Sequence, residues 1–204
     1  DVTALTKITQ AAVVLERQRD ITADASYGVE QLAMIGWTAI SSAKSSLRPG
    51  LLAILTLRDV LAHWSLEDNP VESKAGREPK LWPIVYRDCA FEHLLDAFES
   101  LAVISSESMQ YQAFAEVLRT FAIMYPRMRA EHQSRAEDLL RRILPVLGDH
   151  ALTRELDSAL CATAQMLKSN HCVETASLVE SAQNELRQSI GKLNSRATRV
   201  RSSN

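Results

Sequence analysis

Glycine and proline are scarce, with six of each in 204 residues. So few turn-formers exclude a sandwich or barrel of many short strands, whose every hairpin needs them. Cysteine is scarcer still: Cys89, Cys161 and Cys172 are an odd number without regular spacing. That argues against a disulfide framework and favours a reducing compartment. Aromatic residues make up 5% of the chain, and none is interleaved with the basic residues near its end, so the stacking platform of a single-strand nucleic-acid binder is missing. The longest stretch without charge, Gln31 to Ala43, is too short for a bilayer, which needs about 20 residues. The net charge of −2 advertises neither a nucleic acid nor a membrane surface. No phosphate-binding glycine loop, nucleophile elbow or His-Glu-x-x-His zinc motif occurs.

What is present is helical periodicity. The apolar fraction of 46% and charged fraction of 24% are those of a globular protein, and the length suffices for a substantial core. Val2, Leu5, Ile8, Ala12 and Leu15 mark one face of a helix over 2–19. A second helix is expected over 27–43, capped by Ser26. Its run Leu32 to Ile40 is apolar almost all round, so it reads as the most buried segment, with Trp37 packed inside. A third runs from about 49 to 66, with Pro49 in its first turn. Residues 67–80, with Pro70, Gly76 and Pro79, read as a linker, and 81–86 as a short extended piece held to an edge by Pro83. Five more helices follow: 89–106 with Asp88 as cap, 108–124 stopped by Tyr125-Pro126, 128–147 with Gly148 as C-cap and an earlier end or kink at Pro145, 150–168, and 172–193. Short turns make them antiparallel neighbours. The reading is a single all-α domain over 1–204, an antiparallel bundle of about eight helices. It divides into N-terminal helices over 1–66, a linker over 67–87, antiparallel helices over 88–193 and a basic tail over 194–204. No internal sequence repeat is evident, although paired helices keep a repeat architecture open.

The most distinctive stretch runs from Arg17 to Trp64: Arg-Gln-Arg-Asp at 17–20, Asp24, Tyr27-Gly28-Val29-Glu30-Gln31-Leu32, and Trp37-Thr38-Ala39-Ile40-Ser41. It resembles the soluble portion of a family of bacterial predicted membrane proteins, domain-of-unknown-function family 2254. The family shows an Arg-rich turn, an Asp and an aromatic-Gly step before a Leu- and Ala-rich helix. Its Ser-Pro turn and Asn-Asp-Pro step are replaced here by Ser41 to Pro49, and the Asn-Asp pair is absent. The resemblance implies architecture rather than chemistry: membrane-spanning segments upstream and a soluble helical domain on the cytoplasmic side of the bacterial inner membrane. A chain that starts at Asp1 rather than Met agrees with a fragment or processed product.

Candidate sites are few. Cys89 and His93, four apart, share a helix face as two metal ligands would, and Cys161, His171 and Cys172 are further ligand types. Without closely paired ligands, buried cysteines and ordinary histidines are the better reading, and no metal or cofactor is expected. Glu92, Asp96 and Glu99 line one side of a helix and read as a solvated face rather than an acid–base pair. Ser41, Ser42, Ser45 and Ser46 stand beside Lys44 and Arg48, a composition that can hold an anion at a helix end. Arg17, Arg19, Asp20 and Asp24 fall in one turn, where an Arg–Asp pair would fix the backbone. Arg19, Asp24, Ser41, Ser42 and Lys44 are therefore the candidate ligand contacts. After Glu185 come Arg187, Lys192, Arg196, Arg199 and Arg201 with no acid, read as a solvated extension rather than a lipid contact. No catalytic set assembles, so the leading expectation is a non-enzymatic interaction and assembly domain, with a homo-oligomer as partner arrangement, paired through the 2–19 stripe. The alternative is a small-anion sensor.

Overall fold

The computed structural model describes residues 24–42, 46–66, 89–147 and 151–189, and Lys7. Seven α-helices account for nearly all of them, and no strand occurs among the described residues. They are α1 (Ala25–Ser41), α2 (Arg48–Leu66), α3 (Ala90–Glu107), α4 (Tyr111–Met124), α5 (Ala130–Ile143), α6 (Arg154–Ser169) and α7 (Val173–Ser189). Two 3-10 turns, Tyr125–Arg127 and Leu144–Leu147, follow α4 and α5. Each begins beside or on a proline, whose ring and missing N–H end the wider helix there. The expected helix over 2–19, the linker, the extended piece at 81–86, the Asp88 and Gly148 caps and the basic tail lie outside the described residues.

Local chemistry sets the helix ends. The cap of α1 is Asp24, not Ser26: its Oδ1 accepts the Tyr27 N–H at 3.0 Å. Thr153 caps α6 in the same way through the Leu156 N–H. The turns after α3 and α6 share one closure. Met109 and His171 take left-handed φ values of 55° and 65°. The following N–H groups, of Gln110 and Cys172, reach back to the carbonyls of Ser105 and Leu167. This is the bond pattern that usually employs glycine, made here without it.

The helices alternate between two layers. α1, α3, α5 and α7 pack side by side in one, and α2, α4 and α6 in the other, with α1·α2, α2·α3, α3·α4 and α6·α7 joining the layers. Burial repeats along the chain in step with this arrangement. Phe91, Leu94, Leu95 and Phe98 of α3 are matched by Ala136, Leu139, Leu140 and Ile143 of α5, each 45 positions later. Phe114, Val117, Leu118, Phe121 and Met124 of α4 are matched by Leu156, Ala159, Leu160, Thr163 and Met166 of α6, each 42 positions later. The spacing is that of stacked helical hairpins, roughly 40–47 residues. Adjacent helices within a layer are tied by ion pairs. Glu92 and Glu99 of α3 meet Arg135 and Arg142 of α5. Both partners advance by seven in the same sense, so α3 and α5 run parallel. In the other layer Arg58 of α2 approaches Glu116 of α4 at 3.5 Å, and Arg119 of α4 donates to the Glu155 carbonyl of α6. Phe98 and Phe121 meet edge to face at 5.5 Å where the layers join. Such a pair is worth about 0.5–1.5 kcal/mol beyond its burial.

The antiparallel hairpin α1–α2 depends on two glycines. A Cβ on Gly36 would lie 2.8 Å from Leu101 Cδ2 and 3.1 Å from the Ala53 Cβ; one on Gly50 would lie 2.6 Å from Ile40 Cγ1. These close approaches aim Val29, Gly36 and Ile40 inward. They also correct the expectation that Leu32 to Ile40 is buried throughout. Ile40 is sealed at 0% exposure, but Met34, Ile35 and Trp37 are 55%, 53% and 47% exposed. The reason is position: α1 is the first described helix of the stack and packs on α2 and α3, while its third side faces outward.

Candidate functional site

Two features stand out from the packed scaffold: a polar hub between α5 and α7, and the outer face of α1.

The hub is centred on Glu137. Its Oε1 accepts the Tyr125 hydroxyl at 2.7 Å and the Cys172 thiol at 3.3 Å; its Oε2 accepts the Thr175 hydroxyl at 3.0 Å. Tyr125 and Cys172 also touch each other, Oη to Sγ, at 3.0 Å. Arg141 closes the ring by donating from Nε and Nη2 to Thr175 Oγ1, and lies 3.8 Å from Glu137, 3.6 Å from Glu174 and 4.0 Å from Asp138. Tyr125 and Thr175 are sealed from solvent. Three elements are joined at one carboxylate: the 3-10 turn after α4, helix α5 and the start of α7. The proton inventory follows from the surroundings. Burial raises the Tyr125 phenol, and its bonds to Cys172 and Glu137 raise it further. Burial also raises the Cys172 thiol, against a lowering bond from Tyr125. Burial alone would raise Glu137 too, but the bonds from Tyr125, Thr175 and Cys172 and the charge of Arg141 outweigh it and hold the carboxyl below its ordinary range. At neutral pH the hub is one carboxylate bound by a protonated phenol and a protonated thiol. A thiol kept protonated is a poor nucleophile, so the hub's chemistry is that of a cross-tie.

Beside it, a groove of about 260 Å³ lies between Leu144–Leu147 and α7. Its wall is mostly leucine and alanine, with Arg141, Ser181 and Glu185 among them. Where α2, α3 and α5 meet, Trp64, Phe91 and His132 pack as three mutually touching rings, with centroids 4.3–5.1 Å apart. Burial lowers the pKa of His132, a shift that Glu131 opposes.

The residues singled out from the sequence fall as follows. Asp24 is the α1 cap, and Ser41 and Ser42 close the other end of that helix, where both hydroxyls donate to the Thr38 carbonyl, at 3.1 and 2.6 Å. Seventeen residues of helix hold the two ends about 25 Å apart, so the described candidates do not meet. Arg19 and Lys44 lie outside the described residues. Cys89 is bonded through its carbonyl to the His93 N–H, while His93 Nδ1 faces Glu30 at 3.9 Å. Cys161 is exposed on α6, and Cys172 belongs to the hub. No group of three or more metal-ligating side chains occurs among the described residues. The acids of α3 are not a plain solvated face: Glu92 and Glu99 are half-buried in the seam with α5, and Asp96 is exposed.

The face of α1 that turns away from α2 and α3 carries Met34, Ile35, Trp37, Thr38, Ser41 and Ser42, all exposed. It holds no charged side chain, because Gln31 to Ala43 contains none. A patch of large apolar side chains around a half-exposed Trp, rimmed by hydroxyls, has the composition of a contact surface. Among the described residues, no helix is long and apolar enough to cross a membrane. No protein-family model, curated protein or solved structure matches the chain.

Proposed function

We propose that the chain is a non-enzymatic helical interaction and assembly domain that engages its partner through the outer face of α1. The observation that carries this reading is the exposure of Met34, Ile35 and Trp37 on a helix with no charge from Gln31 to Ala43. Surface helices ordinarily place charge on the side away from the core, and a Trp surrounded by aliphatic side chains is a frequent anchor of binding energy. The stacked hairpins behind α1 supply the rigid support such a surface needs. The parentage of the domain, as the soluble part of a bacterial membrane protein on the cytoplasmic side, is a proposal resting on the resemblance of residues 17–64. It is tested by whether the gene encodes about 18 or more consecutive apolar residues upstream.

The interaction reading is tested by placing a photo-crosslinking amino acid at position 37 of the full-length protein in its native cell, with position 131, exposed and charged, as control. Discrete adducts from position 37 and none from position 131 are expected. Equal or absent labelling at the two positions would refute an interface on α1.

A further inference from the structure

We infer that the partner of the α1 face is a second copy of this chain, packed antiparallel about a two-fold axis that passes close to Thr38. The inference rests on the reading of α1 as a contact surface and names what covers it. Three observations carry it.

The first is the distribution of bulk along the exposed face. The large side chains, Met34, Ile35 and Trp37, occupy its N-terminal part, and the small ones, Thr38, Ser41 and Ser42, its C-terminal part. An antiparallel copy about an axis at Thr38 sets Met34 opposite Ser41 of the second copy and Ile35 opposite Ser42 of the second copy, because residues seven apart lie on the same side of a helix face. Bulk then meets space on both sides at once, the self-complementarity that an isologous contact requires. A parallel copy would set Met34 against its own equivalent and leave the serines facing a gap.

The second is charge. With no ionisable side chain between Gln31 and Ala43, the two-fold brings no like charges together across the helix pair. Two-fold pairing of a charged face generally opposes equal charges near the axis, which costs affinity.

The third is polar satisfaction. Covering a hydroxyl costs energy when its hydrogen bond with water is lost without replacement. Here the Ser41 and Ser42 hydroxyls already donate to the Thr38 carbonyl of their own helix, at 3.1 and 2.6 Å. Their burial under Met34 and Ile35 therefore leaves no donor unmet. One helix face per copy places the contact at the small end of specific interfaces, below about 1,200 Å² in total, so a reversible dimer is expected at micromolar concentration.

The test is sedimentation velocity and light scattering on the full 204-residue chain, from low to high micromolar, beside Thr38→Arg and Thr38→Cys. The expected result is a concentration-dependent rise toward twice the 22.7 kDa of one chain. Thr38→Arg, which sets two guanidinium groups against each other on the axis, should be monomeric at every concentration with an unchanged melting temperature. Thr38→Cys, made with Cys161→Ser because Cys161 is exposed, should form an inter-chain disulfide under mild oxidation that Cys161→Ser alone does not form. Three results would overturn the proposal: a wild type monomeric at high micromolar, a dimer that survives Thr38→Arg, or a Thr38→Arg monomer that melts much lower, which would mean that the chain itself covers this face. In the first case the interaction reading still stands or falls separately, on crosslinks from position 37 to a different protein.

Discussion

Glu137→Gln isolates the energetic weight of the hub, because it changes charge and hydrogen-bonding capacity with almost no change of shape. The amide retains one acceptor. If its oxygen stays toward Tyr125 and Cys172, its NH2 group meets Thr175 Oγ1, which already accepts from Nε and Nη2 of Arg141. Three donors then converge on one oxygen, and the Thr175 hydroxyl, sealed from solvent, loses the acceptor it now has at 3.0 Å. If the amide flips, the NH2 group faces Tyr125 and the phenol must redirect its proton to Cys172. Either way one charge-assisted bond is lost, worth about 1.5–3 kcal/mol, and a buried polar group is left unmet. The expected loss is about 2–3 kcal/mol at pH 7, read as a lower urea midpoint at unchanged slope. Its pH dependence has a definite sign. Glu137 lies below its ordinary value of 4.5 in the folded chain. Its contribution is therefore complete above that value and disappears as the pH falls from 4.5 through the lower folded pKa. The gap between wild type and Glu137→Gln should be constant near neutrality and shrink under acid. A matched Glu99→Gln variant, breaking the partly exposed pair with Arg142, should cost no more than about 1 kcal/mol. A Glu137→Gln protein within about 0.5 kcal/mol of wild type at pH 7, or a gap that does not respond to acid, would refute the reasoning.

Gly50→Ala should destabilise by up to about 2 kcal/mol in thermal melting: alanine is the better helix former by about 1 kcal/mol, but its Cβ would sit 2.6 Å from the Cγ1 of sealed, β-branched Ile40, and overpacking costs about 1–3 kcal/mol. His132 has a lowered pKa in the folded chain, so the unfolded chain binds the proton more readily. Wild-type stability should therefore drop as the pH falls below 6.5, and His132→Leu should flatten that slope in denaturant titrations at pH 7.5 and 5.5. Ile35→Asp should leave the melting temperature within about 2 °C of wild type because the side chain is exposed, whereas Ile40→Asp should prevent folding, since an unpaired charge there has no solvent.

The all-α class and most helix positions are legible in the sequence, since Phe91, Leu94, Leu95 and Phe98 or Phe114, Val117, Leu118 and Phe121 recur at helical steps that any packed helix must show. Pro126 and Pro145 announce the ends of α4 and α5. What escapes is whatever depends on neighbours rather than on period. An apolar run such as Leu32 to Ile40 records the preference of its side chains for an apolar phase, not whether a helix is present to receive them, so Met34, Ile35 and Trp37 read as core and are surface. The hub escapes because Tyr125, Glu137, Cys172 and Thr175 come from three elements and share no spacing. The hairpin repeat escapes because burial recurs while identity does not: Phe91 is answered by Ala136, Phe98 by Ile143, Phe121 by Thr163. The turns at Met109 and His171 escape because the signal for a left-handed helix end is glycine, and neither residue is one. The Asp24 cap is legible in principle, since Asp caps as well as Ser and stands two positions before Ser26.

The two-layer order means that each described helix packs mainly on helices no more than two steps along the chain. A fold with such short-range contacts forms with little loop-closure entropy at any step and belongs among fast folders. It also behaves as a one-dimensional chain of units, whose loss of order starts where a unit has a neighbour on one side only. In hydrogen exchange, amides of α4, enclosed by α2, α3 and α6, should be the last to open, and those of α1 and α7 the first. Truncating the chain after α6 would then expose one new flank and shorten the array without dissolving it, whereas cutting within α4 would separate it into two unstable halves.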